Sequence, residues 1–172
     1  PRGSIILGAR WALAEPPSPV SLPLERSTVS TLPEILTSSV GRPAAVRALA
    51  DVVEDEVRRK SGVGGMALKA GFAAAAKMRP DLVPHAIDKM LPEFAERLDP
   101  YWQQRGEQPF GAYLQGHSEP VSDALLGVTD ARLQNPNHAA LAKIYAALRP
   151  KARSQVAESL PRLGAAIESL AR

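Results

Sequence analysis

The sequence predicts an all-α fold, a single irregular bundle of six or seven proline-kinked helices preceded by an extended N-terminal arm. Three observations carry that expectation. Residues 81–98 place Val83, Ile87, Met90, Leu91, Phe94 and Leu98 at i, i+4, i+7, i+8, i+11 and i+15, the 3.6-residue period of a helix with one apolar stripe. Burying those six side chains contributes ~1.5–3 kcal/mol each before conformational entropy is set against it, so the stripe needs several partner helices. Apolar residues make up 45% of the chain but aromatics only 5%, which leaves Leu, Val, Ile and Ala to build closely packed helices. Sixteen prolines and 12 glycines punctuate the apolar runs, and nowhere does a strand-like alternation replace them.

The chain divides at residue 28 into an arm, 1–28, and the bundle domain, 29–172. Pro1-Arg-Gly-Ser4 reads as the remnant of an expression linker. Pro16, Pro17, Pro19 and Pro23 impose an extended, polyproline-like course. Glu25-Arg26-Ser27-Thr28 is compatible with a purine-rich ribosome-binding sequence, with Val29 a GTG start codon, and on that reading the arm is non-native. Mass spectrometry of the endogenous protein tests it, since a peptide from upstream of residue 29 would refute the start.

Thr31-Leu-Pro-Glu34 is a capping box with proline in the first turn, predicting a short helix that stops before Gly41. Pro43 opens the next, to about Lys60, with Val46, Leu49, Ala50, Val53 and Val57 on one face. Its other face offers Glu54–Arg58, Asp55–Arg59 and Glu56–Lys60 as i,i+4 ion pairs, so a solvated face is favoured over an acidic metal site. Ser61-Gly-Val-Gly-Gly65 is expected to form a turn, followed by a small-residue helix through Leu68, Gly71, Phe72 and Ala75 to Met78. The glycines ahead of Lys69 lack the phosphate-loop spacing and any preceding strand.

The central helix starts after Asp81, with Pro84 in its first turn and Pro92 expected to kink it near Asp88. Asp99-Pro100 is expected to end it, and Gly106, Pro109, Gly111 and Gly116 to shape a connector. Another helix begins at Ser118-Glu-Pro120, with Val121, Leu125 and Val128 inward, and ends at Asn135-Pro136. Residues 137–149 carry Leu141, Ile144, Tyr145 and Leu148; a last helix starts at Pro150, bent by Pro161, with Val156, Leu160, Leu163, Ile167 and Leu170 in register.

The function classes narrow by exclusion. No cysteine is present, which rules out disulfides, thiol nucleophiles and thiolate zinc sites and suits a reducing cytoplasm. No run of eighteen apolar residues exists to span a membrane. With 21 basic and 18 acidic residues the net charge is +3, a small surplus despite a pI near 9.5. Asp81, His85 and Asp88 share a helix face and are the least poor candidates for catalysis or metal binding, although a surface ion pair accounts for them better. No cofactor is implied.

The leading expectation is a non-enzymatic protein–protein interaction or self-association module. Tyr101, Trp102, Phe110 and Tyr113 cluster in sequence and would anchor a partner if exposed, or plug the end of the bundle if buried. Nucleic-acid binding through the basic C-terminal third, at Arg149, Lys151 and Arg153, is the first alternative. The second is a hydrophobic-ligand carrier, with a pocket where glycine and alanine thin the bundle around residues 64–76.

The runs Ser30-Thr-Leu-Pro-Glu-Ile-Leu36, Gly62-Val-Gly-Gly-Met-Ala-Leu-Lys-Ala-Gly71, Lys89-Met-Leu-Pro-Glu-Phe94, Leu98-Asp-Pro-Tyr-Trp102 and Leu160-Pro-Arg-Leu-Gly164 together resemble a small family of uncharacterised actinobacterial proteins. The resemblance covers nearly everything after residue 28. It implies a cytoplasmic helical domain of unknown function and brings no catalytic residues with it.

Overall fold

The computed structural model describes residues 30–172, so the expectations about the arm and the start at Val29 lie outside the described residues. Seven α-helices and one short 3-10 turn, with no strand among the described residues, make the all-α bundle that the periodicity predicts. They are α1 (Leu32–Thr37), α2 (Gly41–Arg59), α3 (Gly62–Met78), α4 (Leu82–Gln104), α5 (Phe110–Gly116), α6 (Ser118–Leu133) and α7 (Ala139–Leu170), with the turn at Pro136–His138 before α7.

The capping box forms as predicted: Glu34 N–H donates to Thr31 Oγ1 at 3.4 Å, and Thr31 N–H donates to Glu34 Oε2 at 3.0 Å. A third free amide of α1, Leu32 N–H, donates to Asp99 Oδ1 on α4 at 2.8 Å, so the cap also docks the helix. Leu32 and Leu36 then bury completely or nearly so. Along α4, Ile87, Leu91, Ala95, Leu98 and Trp102 form the buried stripe, against which Val83 and Phe94 pack. Leu49 and Ala50 of α2, Val121 and Leu125 of α6, and Leu160 and Ile167 of α7 close the core around it.

Two expected breaks do not occur. α4 runs unbroken through Asp99-Pro100 to Gln104, and α7 runs 32 residues through Pro150 and Pro161, so residues 137–149 and the last helix are one rod of ~48 Å. Pro100 and Pro150 both lie on exposed faces, where the carbonyl left without its helical partner is open to solvent and the helix continues. Residues 110–116 of the expected connector form α5. The glycine turn is also shorter than expected: Lys60 and Ser61 alone separate α2 from α3, which begins at Gly62 with φ +72° and contains Gly64 and Gly65.

Pro92 sits mid-helix and deprives the Asp88 carbonyl of its usual donor. Arg42 of α2 replaces it, its Nη2 donating to Asp88 O at 2.7 Å while Nε donates to Asp88 Oδ1 at 2.7 Å. Near the other end, α5 crosses α7 backbone to backbone. A Cβ on Gly164 would lie 2.4 Å from Gly111 Cα, and one on Gly111 would lie 2.3 Å from the Pro161 carbonyl oxygen. Glu168 of α7 accepts the first free amide of α5, Phe110 N–H, at 3.1 Å.

Candidate functional site

Between α2, α3, α4, α6 and α7 the bundle fails to close on itself and leaves a cavity of about 250 Å3. Its wall is almost wholly carbon: Leu49 and Val53 from α2, Ile87, Leu91 and Phe94 from α4, Leu125 and Leu126 from α6, Leu163 and Ile167 from α7. The cause is α3. This helix contributes Leu68 and Phe72 to the wall and is otherwise glycine and alanine on that side, too little side-chain volume to fill the space. Only Gly65 of α3 is buried, held where a Cβ would meet the Lys60 carbonyl carbon at 2.6 Å. The helix lies over the cavity as a thin cover, with Val63 and Met66 81% and 71% exposed on its outer side. A second hollow of about 280 Å3 lies beyond Phe72, lined by Ala75, Ala76, Leu82 and Val83 with Glu54 and Arg79 at its edge. Phe72 is common to both walls.

One side of the cavity is polar. Glu56 of α2 and Lys60 just past its end line it, with Gln155 and Ser159 from α7 and Thr129 from α6. Lys60 pairs with Glu158 and, at 3.7 Å, with Glu56; Arg162 pairs with Glu56 at 3.3 Å. Two cations and two carboxylates thus neutralise one another across the α2–α7 seam. Of the three i,i+4 pairs expected on α2, Glu56–Lys60 alone forms an ion pair, and its side chains are only 16% and 14% exposed; Asp55 pairs instead with Arg58. Ser159 Oγ donates to Val156 O at 2.7 Å, whereas Gln155 Oε1 is buried and accepts no hydrogen bond.

The sequence-predicted aromatic cluster divides. Trp102 and Phe110 are 3% and 0% exposed and stack edge to face at 5.0 Å, so as partner anchors they are corrected: they plug the bundle end. Trp102 Nε1–H donates to Ser30 O at 3.2 Å, and the Arg105 guanidinium lies 3.6 Å from its ring centroid. Tyr101 and Tyr113 stay half-buried and flank the exposed His117 ring, at 5.9 and 4.5 Å between centroids.

The basic knot does not gather either. Arg149 is bidentate on Asp130, at 2.9 Å through Nη2, and Arg153 pairs with Asp123 at 2.9 Å, while Lys151 is exposed. The Arg149 hydrogen bond holds the Asp130 carboxyl below its ordinary range, and burial together with Asp130 raises the Tyr145 phenol, whose hydroxyl donates to Asp130 at 2.6 Å. Asp81 and Asp88 are likewise engaged by Arg79 and Arg42, each held below the ordinary carboxylate range chiefly by that hydrogen bond. Their ion pairs are with arginines, not with His85. Among the described residues no three His, Asp or Glu side chains come together as a metal site, and no helix is long and apolar enough to cross a membrane.

The cavity meets α3 where its glycine and alanine content predicts thin packing; its polar side was missed. The signal that could have found it was Gln155 and Ser159, an i,i+4 polar pair beside the apolar register of Val156, Leu160 and Leu163. Compared with known proteins, residues 32–171 match a family described as of unknown function, DUF6918, and the chain belongs to it. No curated protein and no solved structure matches the chain.

Proposed function

We propose, with membership of that uncharacterised family as the premise, that the protein is a binding module for a small apolar molecule held beneath α3. The observation that carries this reading is the carbon-lined cavity of about 250 Å3. The space is lined by carbon and partly open to solvent, so a guest that fills it removes apolar surface from water. An engineered apolar cavity of ~150 Å3 holds benzene, so about ten carbon atoms fit here. The reading is of a carrier or sensor rather than an enzyme, placed in the cytoplasm in keeping with a cysteine-free composition and with the actinobacterial resemblance.

Calorimetric titration with n-butylbenzene tests it. Saturable binding at one site is expected, weakened at least tenfold by Val156→Phe, which adds a ring at the wall while the helical circular dichroism stays unchanged. Absence of saturable binding, or binding indifferent to Val156→Phe, would overturn the reading.

A second reading, protein partnership, is favoured by one observation: the surface patch in which Tyr101 and Tyr113 flank His117. Light scattering of wild type and Tyr113→Ala checks it, with an assembly that dissociates in the variant as the supporting result and an unchanged monomer as the opposing one.

A further inference from the structure

We infer that the outer face of α3 docks on an anionic lipid surface, lying in the plane of the bilayer with Val63 and Met66 among the acyl chains and its lysines at the headgroup phosphates. The face is apolar along its length. Val63, Met66, Ala67, Ala70 and Ala74 recur at helical spacing on the side opposite Leu68 and Phe72, all of them exposed, and exposed Met78 closes the row in the last turn. A continuous apolar row on a helix whose other side is docked on the bundle marks a surface for a second body. α3 is too short and too charged to cross a bilayer, so it lies flat.

Charge identifies that body. From Arg58 to Pro80 the chain carries six Arg or Lys and no Asp or Glu, although the whole molecule is nearly balanced at 21 basic and 18 acidic residues. Arg58, Lys60 and Arg79 are taken by carboxylates from outside that stretch. Arg59, Lys69 and Lys77 are exposed and form no ion pair among the described residues. Exposed Lys151 of α7 adds a fourth cation, its Nζ 3.6 Å from where a Cβ on Gly64 would stand. Each such cation is attracted by acidic lipids, and a lysine stem lies along apolar surface while its ammonium reaches outward. A protein partner fits less well. The face offers no aromatic ring and no polar side chain other than lysine, whereas protein interfaces centre on Tyr, Trp or Arg anchors and are depleted in Lys. A second copy would bring the same cations face to face. The surface is on the side of α3 turned away from the cavity, so the two stand or fall separately.

The test is flotation of the full chain with vesicles of phosphatidylcholine alone and of phosphatidylcholine mixed with phosphatidylglycerol. Wild type is expected to bind the mixed vesicles at least tenfold more tightly than the neutral ones, and high salt should release it. Lys69→Gln with Lys77→Gln should weaken that binding at least fivefold, and Met66→Asp should weaken it as much; all three positions are exposed, so helical circular dichroism should not change. Lys89→Gln with Arg97→Gln, which removes two exposed cations from α4, should leave it within about twofold. The chain has no cysteine, so Met66→Cys accepts a single bimane label, whose emission should shift to the blue on mixed vesicles while a label at Lys89→Cys does not shift. No binding to the mixed vesicles, equal binding to neutral ones, a loss as large in the α4 pair as in the α3 pair, or an unshifted label at Met66→Cys overturns the assignment. Binding to soluble polyglutamate as tight as to the mixed vesicles also overturns it, and would make the face a dock for an acidic protein.

Discussion

Where α5 meets α7, two hydrogens occupy the place of two side chains. A Cβ on Gly164 would approach Gly111 N at 2.5 Å and the Phe110 carbonyl carbon at 2.9 Å, all backbone that has no rotamer to yield. Gly164→Ala is therefore expected to lower stability by ~1–3 kcal/mol or more, read as a drop in denaturant midpoint. Gly127, inside α6 with open space within 4 Å of where a methyl would stand, is the control: Gly127→Ala should raise stability by ~0.5–1 kcal/mol through backbone entropy alone. The aromatic residues make a second contrast. Trp102→Ala removes a plugged ring, its hydrogen bond to Ser30 and its guanidinium partner, and should cost ~3–5 kcal/mol. Tyr113→Ala, at the half-exposed edge, should cost under ~1 kcal/mol. Comparable losses for the two would contradict the division of the cluster into plug and surface.

Helix boundaries show where sequence reasoning succeeded and where it lacked information. The start of α1 was legible because a capping box is a local device whose donors and acceptors all lie within Thr31–Glu34. The continuity of α4 and α7 was not, because a proline's effect depends on which way its side of the helix faces. Pro100 and Pro150 free carbonyls toward water, whereas Pro92 frees one at a helix–helix seam, where Arg42, far earlier in sequence, supplies the donor. Arg42→Ala should destabilise by ~1 kcal/mol in wild type and by clearly less in a Pro92→Ala background, where the peptide N–H returns; equal costs in both would refute the compensation. The ion pairs between elements also carry a pH signature. Asp88 and Asp130 are held below their ordinary carboxylate range by Arg42 and Arg149, so their contribution is complete above the unfolded value of ~3.9 and is lost as pH falls through the lowered folded value. Melting temperature should fall with acidification through that window, less steeply in Asp130→Asn and less steeply in high salt.

At the scale of the molecule, the cavity and its cover are one feature. α4 and the C-terminal third of α7 are sheathed by the core, while α3 buries Gly65 alone and exposes Val63, Met66 and Met78. Hydrogen exchange should accordingly run fastest in α3 among the long helices, well ahead of α4. Equal protection of α3 and α4 would contradict it. The thin packing was readable from Gly64, Gly65, Gly71 and the alanines that follow, but the void itself was not, because its size is the difference between the side-chain volumes of five helices and the space their crossings enclose. The most direct measurement is a methyl-resolved NMR titration with n-butylbenzene. A guest beneath α3 should produce saturable shifts at Leu68, Leu91, Leu125, Leu163, Ile87 and Ile167; shifts confined to exposed Val63 and Met66, or no shifts at all, would contradict it.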